Sequence, residues 1–384
     1  MVTKFLRKII VLFLVVLLAV NTLAFFCYAE EYSFEVNAKG AILMEASTGK
    51  VLFEQNADEP FLPASVTKIM TLLIVMEAID NGTIKLTDMV TTSARAASMG
   101  GSQIYLEEGE QMSVEDLIKS VVIASANDAS VALAEHIAGS EEAFVALMNK
   151  RAKELDMNNT HFENTNGLDD DVTNHASSAR DIAIMSRELI SHKLILKYSS
   201  IWMDSVRNGA FGLTNTNRLV RFYNGATGLK TGSTSKALFC ISATAERDGM
   251  SLIAVIMASP TRDIRNAEAK KLLDYGFAHY GVYKNEGANL PDLYVRGGLK
   301  NSCTISYGPF SAVLPKAAVK SVEQHISVEE SVSAPVKKGD VVGSVTYLSD
   351  GKEIGKVDIV ATESVDKISF FGLLGRMFRR FIIA

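Results

Sequence analysis

Leu62-Pro63-Ala64-Ser65-Val66-Thr67-Lys68 runs straight into Ile69-Met70-Thr71-Leu72-Leu73-Ile74-Val75-Met76-Glu77-Ala78-Ile79 and stops at Asn81-Gly82. The apolar side chains after Pro63 recur with helical period, so the stretch predicts a helix over Val66 to Ile79 with Ser65 at its start. Ser65 and Lys68 then share one helix face, close enough for the amine to reach the hydroxyl. A serine is a weak nucleophile until a base takes its proton, and a neutral lysine in a partly desolvated site can do so. Ser-x-x-Lys also begins at Ser47, Ser233, Ser349 and Ser364. Ser47 and Ser349 read as hairpin turns, Ser233 as the head of a strand and Ser364 as the approach to the tail. Only Ser65 opens an apolar helix, where backbone amides face a substrate oxygen.

Before this helix, Ala41 to Glu45 and Val51 to Gln55 form a predicted β-hairpin turning through Ser47-Thr48-Gly49-Lys50. After it, Ser113-x-x-Asp116 resembles a capping box and starts a helix to about Ala124. Further helices are expected at about Ala129 to Ala138, Ala143 to Leu155 and Ser178 to Leu189, with the polar stretch Asn158 to Ser177 as a loop. Two β runs, Ala237 to Ala245 and Ser251 to Ser259, turn at Asp248-Gly249 before a closing helix over Asn266 to Tyr280. This order predicts an α/β (α+β) domain in which strands from distant segments share an antiparallel sheet beside a helical cluster. From Tyr283 to about Ala361, Val- and Ile-rich runs punctuated by glycine predict a small all-β domain.

Two further motifs follow the nucleophile helix. Ser125-Ala126-Asn127 is the only Ser-x-Asn in the chain and falls where the second helix ends, and Lys230-Thr231-Gly232 is the only Lys-Thr-Gly, on the approach to a β run. Helix-start Ser-x-x-Lys, loop Ser-x-Asn and strand Lys-Thr-Gly, in that order, form the motif set of penicillin-binding proteins and class A β-lactamases.

The ends of the chain and its charge set the setting. Lys4, Arg7 and Lys8 precede the 18-residue apolar run Ile9 to Phe26 and then Cys27-Tyr28-Ala29, the layout of a secretory signal peptide cleaved after Ala29. An uncleaved anchor is the alternative, since the run reaches the lower end of spanning length; either way the remainder is exported. A lipoprotein signal is discounted because bulky Phe26 precedes Cys27. Removing residues 1–29 leaves 355 residues with 36 basic and 44 acidic side chains, a formal charge of −8. That balance argues against a nucleic-acid partner. Cys240 and Cys303 sit in strand-like neighbourhoods and read as two buried thiols, and no zinc-type spacing occurs among cysteines and histidines. At the far end, Phe370, Leu373, Leu374, Met377, Phe378, Phe381 and Ile382 recur at helical spacing among Arg376, Arg379 and Arg380. Such a cationic amphipathic helix suits an anionic membrane surface, or else packs on its own β domain. The organisation expected is therefore a signal peptide over 1–29, a catalytic domain over 30–282, a β-rich domain over 283–364 and an amphipathic helix over 365–384.

With Leu62-Pro-Ala-Ser-Val-Thr-Lys68, Ser125-Ala-Asn-Asp-Ala129, Asn164-Thr-Asn-Gly-Leu168, His175, Ser178-Ala-Arg-Asp181 and Gly228-Leu-Lys-Thr-Gly232, the chain resembles the serine-type D-Ala-D-Ala carboxypeptidases, the low-molecular-mass penicillin-binding proteins. It departs from their pattern after Lys-Thr-Gly, where Ala237-Leu238-Phe239 stands in place of Ala-Gly-Tyr. The resemblance implies that Ser65 attacks the carbonyl between two terminal D-alanines with Lys68 as base. Ser125, helped by Lys230, would pass a proton to the leaving amine, and Asn127 would hold the peptide backbone. Amides of Ser65 and Ser233 would form the oxyanion hole, worth roughly 3–4 kcal/mol per donor. Thr231 and Arg265 would bind the terminal carboxylate, and Gly232 would let substrate backbone approach the strand edge. The implied partners are peptidoglycan stem peptide, β-lactam antibiotics and the membrane surface, with no cofactor and no metal. His175 and Asp181 are read as loop and cap residues and Trp202 as core. The competing functions are a β-lactamase, for which Glu163 is the one glutamate in the loop region Phe162 to Asp181, a D,D-endopeptidase or transpeptidase, and a wall-binding protein without turnover.

Overall fold

The computed structural model describes residues 35–170 and 172–383, with side-chain environments as far as Phe378; the expected signal peptide lies outside the described residues. Five strands build the central antiparallel sheet in the order Val51–Gln55, Gly40–Glu45, Met250–Ser259, Leu238–Arg247, Ala226–Thr234. The first hairpin and the pair of β runs are thus joined edge to edge by pairing Gly40–Glu45 with Met250–Ser259. Alternate side chains of a strand point to opposite faces. Ile42, Met44, Ile253, Val255 and Met257 accordingly enter the large core under the helices, while Leu43 and Leu252 meet the helix Arg262–His279 at Gly276. With both faces covered, all six residues of Gly40–Glu45 are buried.

The helices begin where the sequence supplies caps. Ser113 accepts from the Asp116 amide at 3.1 Å and opens Val114–Lys119, Ser140 accepts from Ala143 at the start of Glu141–Glu154, and Ser178 accepts from Asp181 at the start of Ala179–Ser191. Such a cap satisfies an amide that the first helical turn leaves without a partner. Thr261 does the same for Arg262–His279, which therefore begins four residues before the expected Asn266. The predicted Ala129 helix begins at Asn127. The nucleophile lies in a short 3-10 turn, Ala64–Thr67, and the α-helix proper is Lys68–Asp80.

Two expectations need correction, and one interval holds elements that were not foreseen. Lys-Thr-Gly is not on the approach to a strand but inside one: Ala226–Thr234 is the edge strand of the sheet, so Ser233 stands near its end and does not head the next strand. The segment carries three threonines, two glycines and a lysine with no period-2 alternation, which hid it. Trp202 is only partly buried and lies edge-on to Phe222 beside a cleft, where a ring of its size is too exposed to be core. The interval 193–214 holds the helix Lys193–Ser199 and the hairpin Met203–Val206 with Phe211–Thr214, which the pattern did not reveal.

Beyond Arg262–His279, the strand Tyr280–Asn285 pairs with Phe310–Pro315. A six-stranded sheet follows in the order Glu323–Val328, Val341–Ser349, Lys352–Ala361, Ser302–Tyr307, Ala288–Arg296, Ser331–Ser333. Its own core gathers Leu293, Ile305, Val345, Tyr347 and Ile359. Cys240 and Cys303 are both free and buried. The tail forms a helix over Phe370–Ile383 that exposes Phe370, Phe371, Leu374 and Phe378, and Arg376 of it donates to Asn301 Oδ1 and the Leu299 carbonyl. No described helix is long and apolar enough to cross a membrane.

Candidate active site

Ser65, Lys68, Ser125, Asn127 and Lys230 come from three separate segments, and the fold brings their polar atoms together. The turn Ala64–Thr67 holds Ser65 against the edge strand. Ala64 has φ +48°, a left-handed conformation that costs a non-glycine residue on the order of 1–3 kcal/mol. Two glycines fix this turn from either side. A Cβ on Gly232 would stand 2.8 Å from the Ser65 nitrogen and 2.9 Å from the Pro63 oxygen, and a Cβ on Gly167 would strike the Ala64 carbonyl. The closest constraint on Gly232 is therefore the nucleophile's own backbone.

Lys68 is fully buried. Its Nζ lies 3.1 Å from Ser65 Oγ, 2.6 Å from Asn127 Oδ1 and 2.7 Å from the Asn166 carbonyl oxygen. Asn127 Nδ2 donates to the Gly100 carbonyl at 2.7 Å, which fixes the amide so that Oδ1 faces the lysine. Burial, and then the charge of Lys230, hold the Lys68 amine well below its ordinary range, with Asp128 opposing. Asp128 accepts from the amides of Ile104, Leu106 and Ala129 and so anchors the loop that carries Gly100.

The second helix, Val114–Lys119, widens through Ser120–Ala124, and Ser125 follows with φ 64°, which turns its hydroxyl out of the helix path. Lys230 Nζ donates to Ser125 Oγ at 2.8 Å and to the Thr231 carbonyl at 3.0 Å. Burial, reinforced by Arg265, lowers the Lys230 amine to about 7. Two buried amines thus flank Ser65 and Ser125, and burial holds both below the ordinary lysine range.

An open cleft of about 450 Å³ lies over Ser65 and Ser125. Thr231, Gly232, Ser233 and Arg265 line it, as expected, and Arg265 is itself buried, with its guanidinium lowered to about 10 by that burial. Sequence reasoning missed Ser102, Thr216, Arg218 and Trp202 as further lining residues. Thr216 donates no readable signal in the sequence, yet its hydroxyl meets Thr231 Oγ1 at 2.7 Å. Asn166 was quoted within Asn164–Leu168, but its role as the carbonyl facing Lys68 is visible only in three dimensions.

His175 is buried behind Thr67. The Glu163 amide donates to Nδ1, so the neutral ring carries its proton on Nε2 and donates to Thr67 Oγ1 at 2.8 Å. Burial lowers this imidazole to about 4, which keeps it neutral in a supporting position. Asp181 accepts from the Asn159 amide and Thr160 hydroxyl at the same loop. The Glu163 carboxylate accepts from the amides of Thr173 and Asn174, within its own loop. One candidate metal grouping occurs among the described residues, Glu77, Glu188 and His192. Arg151 already bridges its two carboxylates, which satisfies them without an ion.

Comparison with known proteins shows the family. Residues 27–261 match the family model of D-alanyl-D-alanine carboxypeptidase, and residues 296–367 match that of the penicillin-binding protein 5 C-terminal domain. The D-alanyl-D-alanine carboxypeptidase DacF of Bacillus subtilis is 42% identical over 88% of this chain and 88% of its own length. DacC of Escherichia coli is 37% identical over 90% of this chain and 89% of its own. Among solved structures, penicillin binding protein 5 from Haemophilus influenzae superposes with a TM-score of 0.76 at 34% identity, covering 87% of this chain and 99% of that one. Serine, two depressed amines and a second hydroxyl in one buried cluster, together with these matches over most of the chain, place it in the D-alanyl-D-alanine carboxypeptidase family.

Proposed function

We propose that this protein is a serine-type D-alanyl-D-alanine carboxypeptidase that removes the terminal D-alanine of peptidoglycan stem peptides through an acyl-enzyme on Ser65. The observation that carries the reading is the position of Lys68 Nζ, 3.1 Å from Ser65 Oγ, with two acceptors on its other sides. A neutral amine has two N–H bonds and one lone pair. Asn127 Oδ1 and the Asn166 carbonyl can only accept from it, so they take the two N–H bonds and leave the lone pair for the Ser65 proton. Burial lowers the Lys68 amine and so favours the neutral form that this step needs.

Ser65 Oγ attacks the carbonyl before the last D-alanine as Lys68 takes its proton, and the amides of Ser65 and Ser233 receive the oxyanion. The C–N bond then breaks. The leaving nitrogen takes a proton from Ser125, which Lys230 replaces across their 2.8 Å contact. Thr231 and Arg265 hold the terminal carboxylate, Gly232 keeps the strand against the nucleophile turn, and the second lone pair of Asn127 Oδ1 receives a substrate N–H. Lys68 gives up the Ser65 proton and Lys230 regains one through solvent in the open cleft; water then attacks the acyl carbonyl as neutral Lys68 takes its proton, and Lys68 returns that proton to Ser65 Oγ as the acyl–oxygen bond breaks. A β-lactam enters by the same attack and stays as a covalent adduct; a relative, penicillin-binding protein D2 from Listeria monocytogenes, has been solved with ampicillin and with cefotaxime bound.

We place the enzyme outside the cytoplasmic membrane, exported by residues 1–29, with the catalytic domain at 30–282, the β-rich domain at 283–364 and the 365–384 helix against the membrane surface. The exposed side chains of Phe370, Phe371, Leu373, Leu374, Met377 and Phe378 support that last assignment. Mass spectrometry after penicillin treatment tests the nucleophile: an adduct on Ser65 is expected, and its absence overturns the site. Release of D-alanine from diacetyl-Lys-D-Ala-D-Ala by the wild type and not by Ser65→Ala tests turnover.

A further inference from the structure

The tail helix Phe370–Ile383 turns an apolar stripe outward. Phe370, Leu374, Met377 and Phe378 recur at helical spacing, and all are exposed. Its attachment to the β-rich domain lies off that stripe, at Arg376, two positions from both Leu374 and Phe378, and residues two apart do not share a helix face. The Arg376 guanidinium donates to Asn301 Oδ1 at 2.8 Å and to the Leu299 carbonyl at 2.7 Å. Backbone bonds fasten the same turn to the root of the helix. The Leu299 amide donates to the Asp366 carbonyl at 2.8 Å, and the Ile368 amide to the Gly297 carbonyl at 2.9 Å. Gly297 has φ +68°, and a Cβ on Gly298 would strike the Lys300 carbonyl and Val365, so the turn closes tightly and leaves the Leu299 side chain facing outward.

A single exposed leucine is ordinary on a protein surface. Leu299, 56% exposed, differs in what surrounds it. It adjoins a helix whose apolar stripe is open to solvent, and cations ring the turn. Arg296 and Lys367 flank it, and Lys337 and Lys338 come beside it because Val336 pairs with Val365 and the Lys338 amide donates to Ser364 Oγ. All four are exposed and have no ion-pair partner among the described residues, whereas Lys300 is paired with Glu363. Asp292, Asp340 and Asp366 offset only part of this charge, and Asp340 is turned to the Lys337 amide. An apolar tip ringed by cations matches the interface of an anionic bilayer, where hydrocarbon lies beneath phosphate headgroups. We propose that the turn 297–301 is a second membrane-contacting element: Leu299 enters the interface beside the apolar stripe of the tail, and the surrounding cations face lipid headgroups. The inference rests on the assignment of the tail to the membrane surface and deepens it, because the β-rich domain then stands on the bilayer itself.

The test uses the processed chain, residues 30–384, and its sedimentation with vesicles of phosphatidylglycerol and phosphatidylethanolamine. Leu299→Ser is expected to lower the partition coefficient about fivefold, since a leucine at the interface leaves only part of its water contact. Unchanged D-alanine release shows that this variant is folded. Leu299→Trp is expected to raise the partition coefficient, because tryptophan favours the interface. A nitrobenzoxadiazole probe on Leu299→Cys is expected to shift its emission to the blue when vesicles are added. Lys337→Glu combined with Lys338→Glu is expected to weaken binding to these vesicles and to leave binding to phosphatidylcholine vesicles unchanged. Unaltered partitioning of Leu299→Ser, or a probe that does not shift, overturns the turn's contact. Deletion of residues 367–384 separates the two levels. Binding that is lost on deletion but indifferent to Leu299 removes the turn alone, whereas binding that survives deletion in full removes the assignment of the tail and this inference with it.

Discussion

The central sheet with its helices and the C-terminal six-stranded sheet are both packed around apolar cores, but only the first buries charge. Lys68, Asp128, Lys230 and Arg265 are all nearly inaccessible, whereas no Lys, Arg, Asp or Glu after residue 280 is buried among the described residues. Burying an amine is unfavourable unless it is neutralised or well partnered. The first region accepts that cost at the one place where depressed amines are useful, and the second, with its edge strand Glu323–Val328 exposed throughout, is a scaffold without chemistry.

The largest expected effect on that contrast is from Ser65→Ala. It removes the covalent penicillin adduct and lowers D-alanine release by at least about 10³-fold, read by mass spectrometry and product assay. Next comes Lys230→Met, expected to lower kcat/KM by about 10²-fold or more through loss of proton delivery to Ser125. Its stability effect has the opposite sign. The amine is lowered to about 7 in the fold, while an unfolded lysine titrates near 10.4. The unfolded chain therefore binds more protons between these values, so the native lysine destabilises most below about pH 7 and least near pH 10. Lys230→Met should raise Tm by a few degrees at pH 6.5 and by less at pH 9, and an equal shift at both pH values would break the comparison.

In the other region, Ile359→Ala is expected to cost about 2–5 kcal/mol of stability where it packs, with penicillin acylation at 25 °C unchanged. Gly232→Ala should cost about 1–3 kcal/mol, because its Cβ must displace the Ser65 backbone, and it should slow acylation as well. The pair sharpens the contrast between a core residue that serves only packing and one that serves packing and chemistry together. Smallest for catalysis is deletion of residues 367–384: the protein should move from the membrane to the soluble fraction with its kcat/KM retained.

Much of this was legible in advance because capping, helical period and turn chemistry are local. Ser113 and Ser178 announce helix starts within three residues of the amides they cap. The strand Ala226–Thr234 was not legible, since its glycines and threonines carry no alternation and its pairing with Leu238–Arg247 supplies what propensity does not. Trp202 was misplaced for a related reason: a tryptophan's size predicts burial, but nothing local says whether a cleft opens beside it.

By itself the sequence determined which residue types the site would contain, Ser65 with Lys68, Ser125 with Asn127, and Lys230 with Thr231, because each pair is fixed by spacing along one element. Only the tertiary structure decided which of them touch, that Lys68 is met by Asn127 and Asn166 from 59 and 98 residues away and Ser125 by Lys230 from 105. Contacts across such separations are chosen by packing and by the burial of whole faces, which no short window of sequence contains.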